Sequence, residues 1–392
     1  MPIPSVRVPL VRPTFPTLDT FQEAFAKCLD SGKVTNNGEH VQEFERRLTE
    51  YLGAPTIVFS SGTAALMCLL RAIRNETQSA RREVIVPSFT FPATINAILW
   101  AGATPVFVDI RGDRLTIDPA AVRRAVTEQT LAILGVDAYG LCCDYDVLSE
   151  IAWSAGAAIV YDSAPAFGSM WQGKLTGTQG HGQIFSFHAT KPFSTMEGGA
   201  LCSRDPNILA EARRLRNFGL SALNEHVSAG INGKMMEVCA IIGIWNLLAW
   251  THTAAERADV AELLSHRVRM RGLQPIAAPE EQSPIWTYLP VLVDEKKFGL
   301  NRDQLHSVLR FHGVETRSYY PACHKSAPVR VEKPLPVTED VANRVLAFPV
   351  LNDMTSEEIF HIHSTLKEIA KSACESSSSA PADTSESLSA RH

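Results

Sequence analysis

The sequence predicts an α/β protein: a large domain on a mostly parallel seven-stranded sheet covered by helices, then a smaller C-terminal α/β domain. Three observations predict it. The 392 residues exceed one typical domain and can bury a large core. A composition of 45% apolar and 20% charged residues is that of an ordinary globular chain. From residue 54 onward, short β-rich apolar runs alternate with helical segments, as parallel strands joined by crossover helices require.

Taken in order, Val41, Phe44, Leu48 and Leu52 recur at helical spacing ahead of the strand TIVFSSG. A helix from Gly62 to Ile73 and the strand EVIV follow. In PSFTFPATINAILWAG, Pro92 suits a first helical turn, and after the strand TPVFVDI the pair Asp118-Pro119 opens another helix. LAILGVDAYG reads as a strand, residues 145–154 as a helix and AAIVYD as a strand; GQIFSFH and GGALCS bring the strands to seven by residue 203. A helix over residues 206–217, the Gly/Asn-rich loop SAGINGK and a long helix over about 234–266 lead into the second domain. There the sequence predicts a strand pair within IWTYLPVLVD, a helix after Asn301, the segment VETRSYYP and a final helix over 355–373. The expected divisions are 1–250 for the large domain with its N-terminal arm and 251–372 for the small domain. Residues 373–392 are Ser-rich and short of large apolar groups, so burial cannot offset the entropy of ordering and a disordered tail is expected.

A formal charge of -5, with Lys and Arg scattered along the chain, argues against a nucleic-acid partner. Apolar runs such as 157–160 and 240–250 stop well short of the roughly 20 residues that span a bilayer, so no membrane partner is expected. The opening MPIPSVRVPLVRP has no hydrophobic core of a secretion signal. Eight cysteines without a CxxC pair read as reduced thiols of a cytoplasmic protein, and no set of residues has metal-ligand spacing.

Chemistry concentrates at predicted strand ends, where open parallel sheets place their ligands. Ser61-Gly62-Thr63 stands between a strand and a helix start, a position where outward-facing N–H groups suit a phosphate, although the same residues also suit an ordinary cap. Asp162 ends an apolar strand, and a buried carboxylate there calls for a partner such as a pyridinium N–H or the following turn. In SFHATKPFSTMEGGA a strand runs into a polar loop carrying Ser186, His188 and Lys191. A desolvated lysine amine in such a loop is what a Schiff base requires. His188 reads as a hydrogen-bonding wall residue, having no second ligand at metal spacing.

Together TNNGEHVQEFERRL, SSGTAAL, VPSFTFPATINAI, GATPVFVDI, YDSAPAFG, SFHATKPFSTMEGGAL, GINGKMMEVCA and VLAFPV resemble the DegT/DnrJ/EryC1/StrS family of sugar aminotransferases, over about residues 10–372. The resemblance implies the fold-type I architecture of enzymes that use pyridoxal 5′-phosphate (PLP). It implies that Lys191 is the Schiff-base lysine and proton shuttle, that Asp162 pairs with the pyridine nitrogen and that Phe91 stacks on the ring. Gly62, Thr63 and Ser186 match phosphate-binding positions, and Asn232 matches an Asn that reaches the phosphate from a neighbouring subunit, implying a homodimer. Two positions depart from the family pattern: Pro165 stands where His or Gln is common near the cofactor ring, and Asp137 where His is common at a strand end.

The implied reaction takes an amino group from glutamate to a nucleotide-linked ketosugar, with C4 of a dTDP-4-keto-6-deoxyhexose as the expected acceptor. A C3 ketosugar or a keto-cyclitol would use the same machinery. Arg317, Tyr319, Tyr320 and His324 are candidates to face substrate, or else structural. A PLP-binding sensor is the reading from another class, but the chain has no basic helix-turn-helix segment. A dinucleotide oxidoreductase would need G-x-G-x-x-G where SSGTAAL stands.

Overall fold

A computed structural model describes residues 6–77, 80–326 and 329–378. Helices α1 (Leu18–Asp30) and α2 (Glu39–Leu52) precede the first strand. On α2 the expected residues Val41, Phe44, Leu48 and Leu52 are buried, whereas α1 buries only Cys28 and left no comparable stripe to read. Then come β1 (Thr56–Phe59), α3 (Gly62–Thr77), β2 (Glu83–Pro87), α4 (Pro92–Trp100), β3 (Thr104–Val108), α5 (Pro119–Ala125) and β4 (Thr130–Val136). After α6 (Tyr145–Ala155) and β5 (Ala158–Asp162), a short hairpin of β6 (Met170–Trp171) and β7 (Lys174–Leu175) leads to β8 (Gly182–Ser186), β9 (Gly199–Cys202) and α7 (Pro206–Arg216).

Seven of these strands form one sheet in the order β1-β9-β8-β5-β4-β2-β3. Its centre is parallel, and only β9 runs against its neighbours β8 and β1. Every residue of β4 and β5 is buried, as expected of apolar strands covered on both faces. Asp118 and Asp205 cap α5 and α7 through their carboxylates, each ahead of a proline in the first turn. The parallel strands β4, β5 and β8 bring their carboxyl ends, at Val136, Asp162 and Ser186, to one side of the sheet.

Helix α8 (Glu237–Val268) carries the chain into the second domain. Its 32 residues include a stretch of mean hydropathy 1.4, long and apolar enough by composition to cross a bilayer, which the run ending at Trp250 did not suggest. In this fold it packs instead as a connector: Gly243 lies so close to the Phe44 ring on α2 that a methyl there would meet it at 2.5 Å. Trp250 belongs to the large-domain core with Phe167 and Phe193, while Ala261, Leu264 and Val268 belong to the small-domain core. The packing therefore changes hands along one unbroken helix just beyond residue 250.

Beyond α8 come β10 (Leu273–Pro275), β11 (Gln282–Ser283), β12 (Tyr288–Val293), α9 (Glu295–Phe298), α10 (Arg302–Phe311), α11 (Pro336–Arg344), β13 (Val345–Pro349) and α12 (Ser356–Ser378); β10, β12 and β13 form the small domain's sheet, whereas β11 returns to pair with β6. IWTYLPVLVD is not a strand pair: it supplies the single central strand β12, which runs straight through Pro290 and pairs with β10 and β13. The N-terminal arm touches both parts of the chain: Val8 is fully buried among small-domain residues and bridges Val314, whereas Leu10 packs with Phe89, Ile110 and Tyr139. Helix α12 continues through the first six residues of the expected tail; residues 379–392 lie outside the described residues.

Candidate active site

A cavity of about 290 Å³ opens at the carboxyl ends of the parallel strands, lined among others by Gly62, Thr63, Phe91, Asp162, Ser186, His188 and Lys191. One wall is the first turn of α3. The Ser61 hydroxyl accepts the Ala64 N–H at 3.1 Å, so the cap engages the third amide of the helix and leaves those of Gly62 and Thr63 directed at the cavity. A methyl at Gly62 would sit 2.9 Å from Ser186 Cβ, and one at Gly199 would sit 2.4 Å from the Gly62 nitrogen. Glycine at both positions lets the helix start, β8 and β9 close into a cradle whose exposed N–H groups favour an anion.

Opposite this cradle, Asp162 is 7% exposed at the end of β5. Its Oδ2 accepts the Thr94 hydroxyl at 2.7 Å and its Oδ1 accepts the Ala164 N–H at 3.1 Å. The Thr94 hydroxyl is in turn 2.7 Å from that of Thr90. Burial pushes the Asp162 carboxyl above its usual range, and the Thr94 and Ala164 bonds only partly oppose that. Burial likewise pulls the Lys191 amine below the usual lysine range, opposed by the charge of Asp162. No ion pair joins the two among the described residues, although both line the cavity. A desolvated amine facing a hydrogen-bonded carboxylate across open space can form a covalent link at one end of a ring and neutralise a protonated nitrogen at the other.

Aromatic side chains close the remaining sides. Phe91, at the N-cap of α4, is 49% exposed and meets Tyr319 edge-on with ring centroids 6.1 Å apart. Tyr319 and Tyr320 line the cavity, as does Tyr288 from the start of β12. His188 holds the Thr190 N–H at its Nδ1 at 3.1 Å, and its Nε2 is 3.5 Å from Glu197. Arg317 does not reach the cavity: it is exposed, and its backbone bridges Ala347. Nor does His324, which is 1% exposed and spends its ring nitrogens on Ser88 at 2.6 Å and Glu339 at 3.3 Å, a structural role. Asn232 is exposed and off the cavity, next to Asn217 in a backbone bridge.

Residues 17–367 match the model of the DegT/DnrJ/EryC1/StrS aminotransferase family. The chain belongs to that family. It is 32% identical over 365 residues to the dTDP-4-amino-4,6-dideoxy-D-glucose transaminase of Escherichia coli, covering 91% of this chain and 96% of the relative. Among solved structures it resembles DesI, determined in the presence of its TDP-sugar product, with 32% identity, a TM-score of 0.88 and 95% of each chain covered. A Streptococcus pneumoniae chain solved in a PLP form is 26% identical with a TM-score of 0.84, covering 94% of this chain and all of that one. The protein is thus a PLP-dependent aminotransferase of fold-type I architecture.

The residues of this aminotransferase fit PLP: the α3 cradle suits its phosphate, and the buried carboxylate of Asp162 suits a ring N–H. Sequence reasoning missed Thr90, Thr94 and Tyr288. A weak signal for Thr94 lay in its place, three residues past Phe91 in a first helical turn; Tyr288 had none. Pro165 lines the cavity, and its carbonyl accepts the Thr287 hydroxyl at 2.8 Å, so this position serves the backbone rather than a side-chain donor.

Asp137 lies behind the cavity, wholly buried, and accepts from the Cys143 N–H at 2.9 Å, the Tyr145 hydroxyl at 2.7 Å and the Ser163 hydroxyl at 2.5 Å. Burial outweighs these bonds and pushes the carboxyl from its ordinary 3.8 up to about 6. The folded group holds its proton more tightly than the unfolded one, so the stability it contributes is present below about pH 4 and is lost as the pH rises through about 6, amounting to about 3 kcal/mol. Asp137→Asn should remove that component from the pH dependence of Tm between pH 4 and 8. An unchanged slope in the variant would refute the assignment.

Proposed function

We propose that this aminotransferase moves the amino group of glutamate onto C4 of a dTDP-linked 4-keto-6-deoxyhexose, in amino-sugar biosynthesis. The observation that carries the reading is the near full-length similarity to a transaminase named for a dTDP-4-amino sugar, together with the likeness to DesI, solved with a TDP-sugar product. The cavity is consistent with a sugar: tyrosine and phenylalanine faces suit a pyranose ring, and no arginine is among the lining residues.

PLP, when bound, supplies an electron sink for the pair left as the donor Cα–H bond breaks. Lys191 would hold the cofactor covalently, and its neutral Nζ, when free, would take and return the Cα proton. Asp162, held in line by Thr94 and Ala164, would keep the ring nitrogen protonated. Phe91 would cover a ring face, and the α3 amides of Gly62 and Thr63 with Ser186 would hold the phosphate. His188, Tyr319 and Tyr320 contact the acceptor. Asn232, exposed on this chain, reaches the phosphate of a second copy in a homodimer whose active sites are shared. Seven cysteines with described side chains are free and buried, in keeping with a reducing cytoplasm.

Incubation with glutamate and a panel of nucleotide-linked ketosugars tests the reading, with 2-oxoglutarate and the NMR position of the new amine as readouts. Turnover with the dTDP-4-keto sugar and an amine at C4 is expected. An amine at C3, or turnover only with a keto-cyclitol, would transfer the assignment to that substrate; PLP binding without any turnover would favour a sensor.

A further inference from the structure

The backbone that carries Lys191 is held from outside its own loop. The Pro192 carbonyl accepts from Asn352 Nδ2 at 3.1 Å, and the Ser194 carbonyl accepts from Asn246 Nδ2 at 2.8 Å. Asn352 follows β13 in the small domain, and Asn246 lies on α8. Both amides also reach Thr14 of the N-terminal arm, Asn352 at its hydroxyl (2.9 Å) and Asn246 at its carbonyl (3.0 Å). Each NH₂ group therefore donates twice, joining the Lys191 loop to a neighbouring segment.

Behind Asn352 stands Arg257. It is 4% exposed, and its Nη1 donates to Asn352 Oδ1 at 2.8 Å. Its other bonds go to the carbonyls of Trp286 (2.8 Å) and Thr287 (2.9 Å), where the chain enters β12. Among the described residues no carboxylate pairs with it, and burial pulls the guanidinium down to about 9. A buried cation without a counter-charge is costly, so all its neutral acceptors matter. Arg257, Asn352, Thr287, Pro192 and Lys191 line one crevice of about 10 Å³. That volume is at the limit for a single water, so the direct side-chain bonds carry the connection.

We propose that Arg257 is a positioning residue for Lys191, acting through Asn352: the guanidinium orients the amide, the amide holds the Pro192 carbonyl, and the amine of Lys191 is thereby aimed into the cavity. The relay runs from α8 through the small domain back to the large-domain loop, so the docking of the two domains sets the position of the reacting amine. It rests on the assignment of Lys191 as the residue that binds PLP covalently.

The test mixes cofactor-free protein with PLP and follows the visible band of the Lys191–PLP link in the wild type, Asn352→Ala, Asn352→Asp, Arg257→Lys and the double variant Asn352→Ala/Arg257→Lys. Each single change should slow the band about tenfold, as misplacement of a reacting group does. The double variant should be no slower than the slower single one, because members of one relay are not additive. Asn352→Asp retains an acceptor for Arg257 but not the donor to Pro192, so it should fold and still be slow. If Arg257→Lys fails to fold, Arg257→Gln, which keeps a neutral donor for Asn352, replaces it in the series and in the double variant. A wild-type rate in the Asn352 variants, or multiplicative effects in the double variant, would overturn the relay. Absence of the band in the wild type would instead overturn the assignment of Lys191.

Discussion

Lys191→Ala is expected to lose transamination by more than about a thousandfold, the scale on which removal of a covalent catalytic group acts. On the proposed assignment two separate duties disappear with the side chain: the covalent hold on the cofactor and the movement of the Cα proton. Stability should move the other way. The amine is desolvated and lies below the usual lysine range, so its burial opposes folding, and Tm of the cofactor-free variant should equal or exceed that of the wild type. Turnover measured as 2-oxoglutarate release, with Tm by calorimetry, checks both parts. Residual turnover within tenfold of the wild type would remove Lys191 from the mechanism.

Asp162→Asn should lower kcat by about a hundredfold to a thousandfold, the usual effect of deleting one preorganised electrostatic group. The amide keeps the shape of the side chain and an oxygen for Thr94, so the loss isolates the negative charge. That charge is held in a buried setting that pushes the carboxyl upward, hence the variant should be at least as stable as the wild type. A structural aspartate would give the reverse pattern, with lowered Tm and kcat within tenfold. Kinetics and thermal unfolding on one preparation distinguish the two.

Much of the site could be read before the fold. Gly62, Asp162 and Lys191 are far apart in the chain, yet each follows a predicted strand of one sheet, and strands of a parallel sheet deliver their carboxyl ends to one side. The roles came from resemblance, because a lone lysine or aspartate has no chemistry peculiar to it. Thr94 was not legible: its hydroxyl matters only because α4 crosses the sheet where β5 ends. Whether Arg317 and His324 faced substrate or were structural stayed open in the sequence for a related reason. Both occur in polar sequence near Tyr319, but the backbone pairing of Arg317 with Ala347 and the Ser88 and Glu339 bonds of His324 leave neither in the cavity.

Local pattern was enough to specify alternating strands and helices, the glycine at the helix start, and a lysine in a polar loop after a buried strand. Tertiary structure alone decided what depends on packing between distant segments. It drew Val8 into the small domain, placed Tyr288 at the cavity and put a buried Arg257 behind the lysine loop. Helical and strand periodicities specify which face of an element is apolar, but which other element covers that face is settled by the burial of the whole chain.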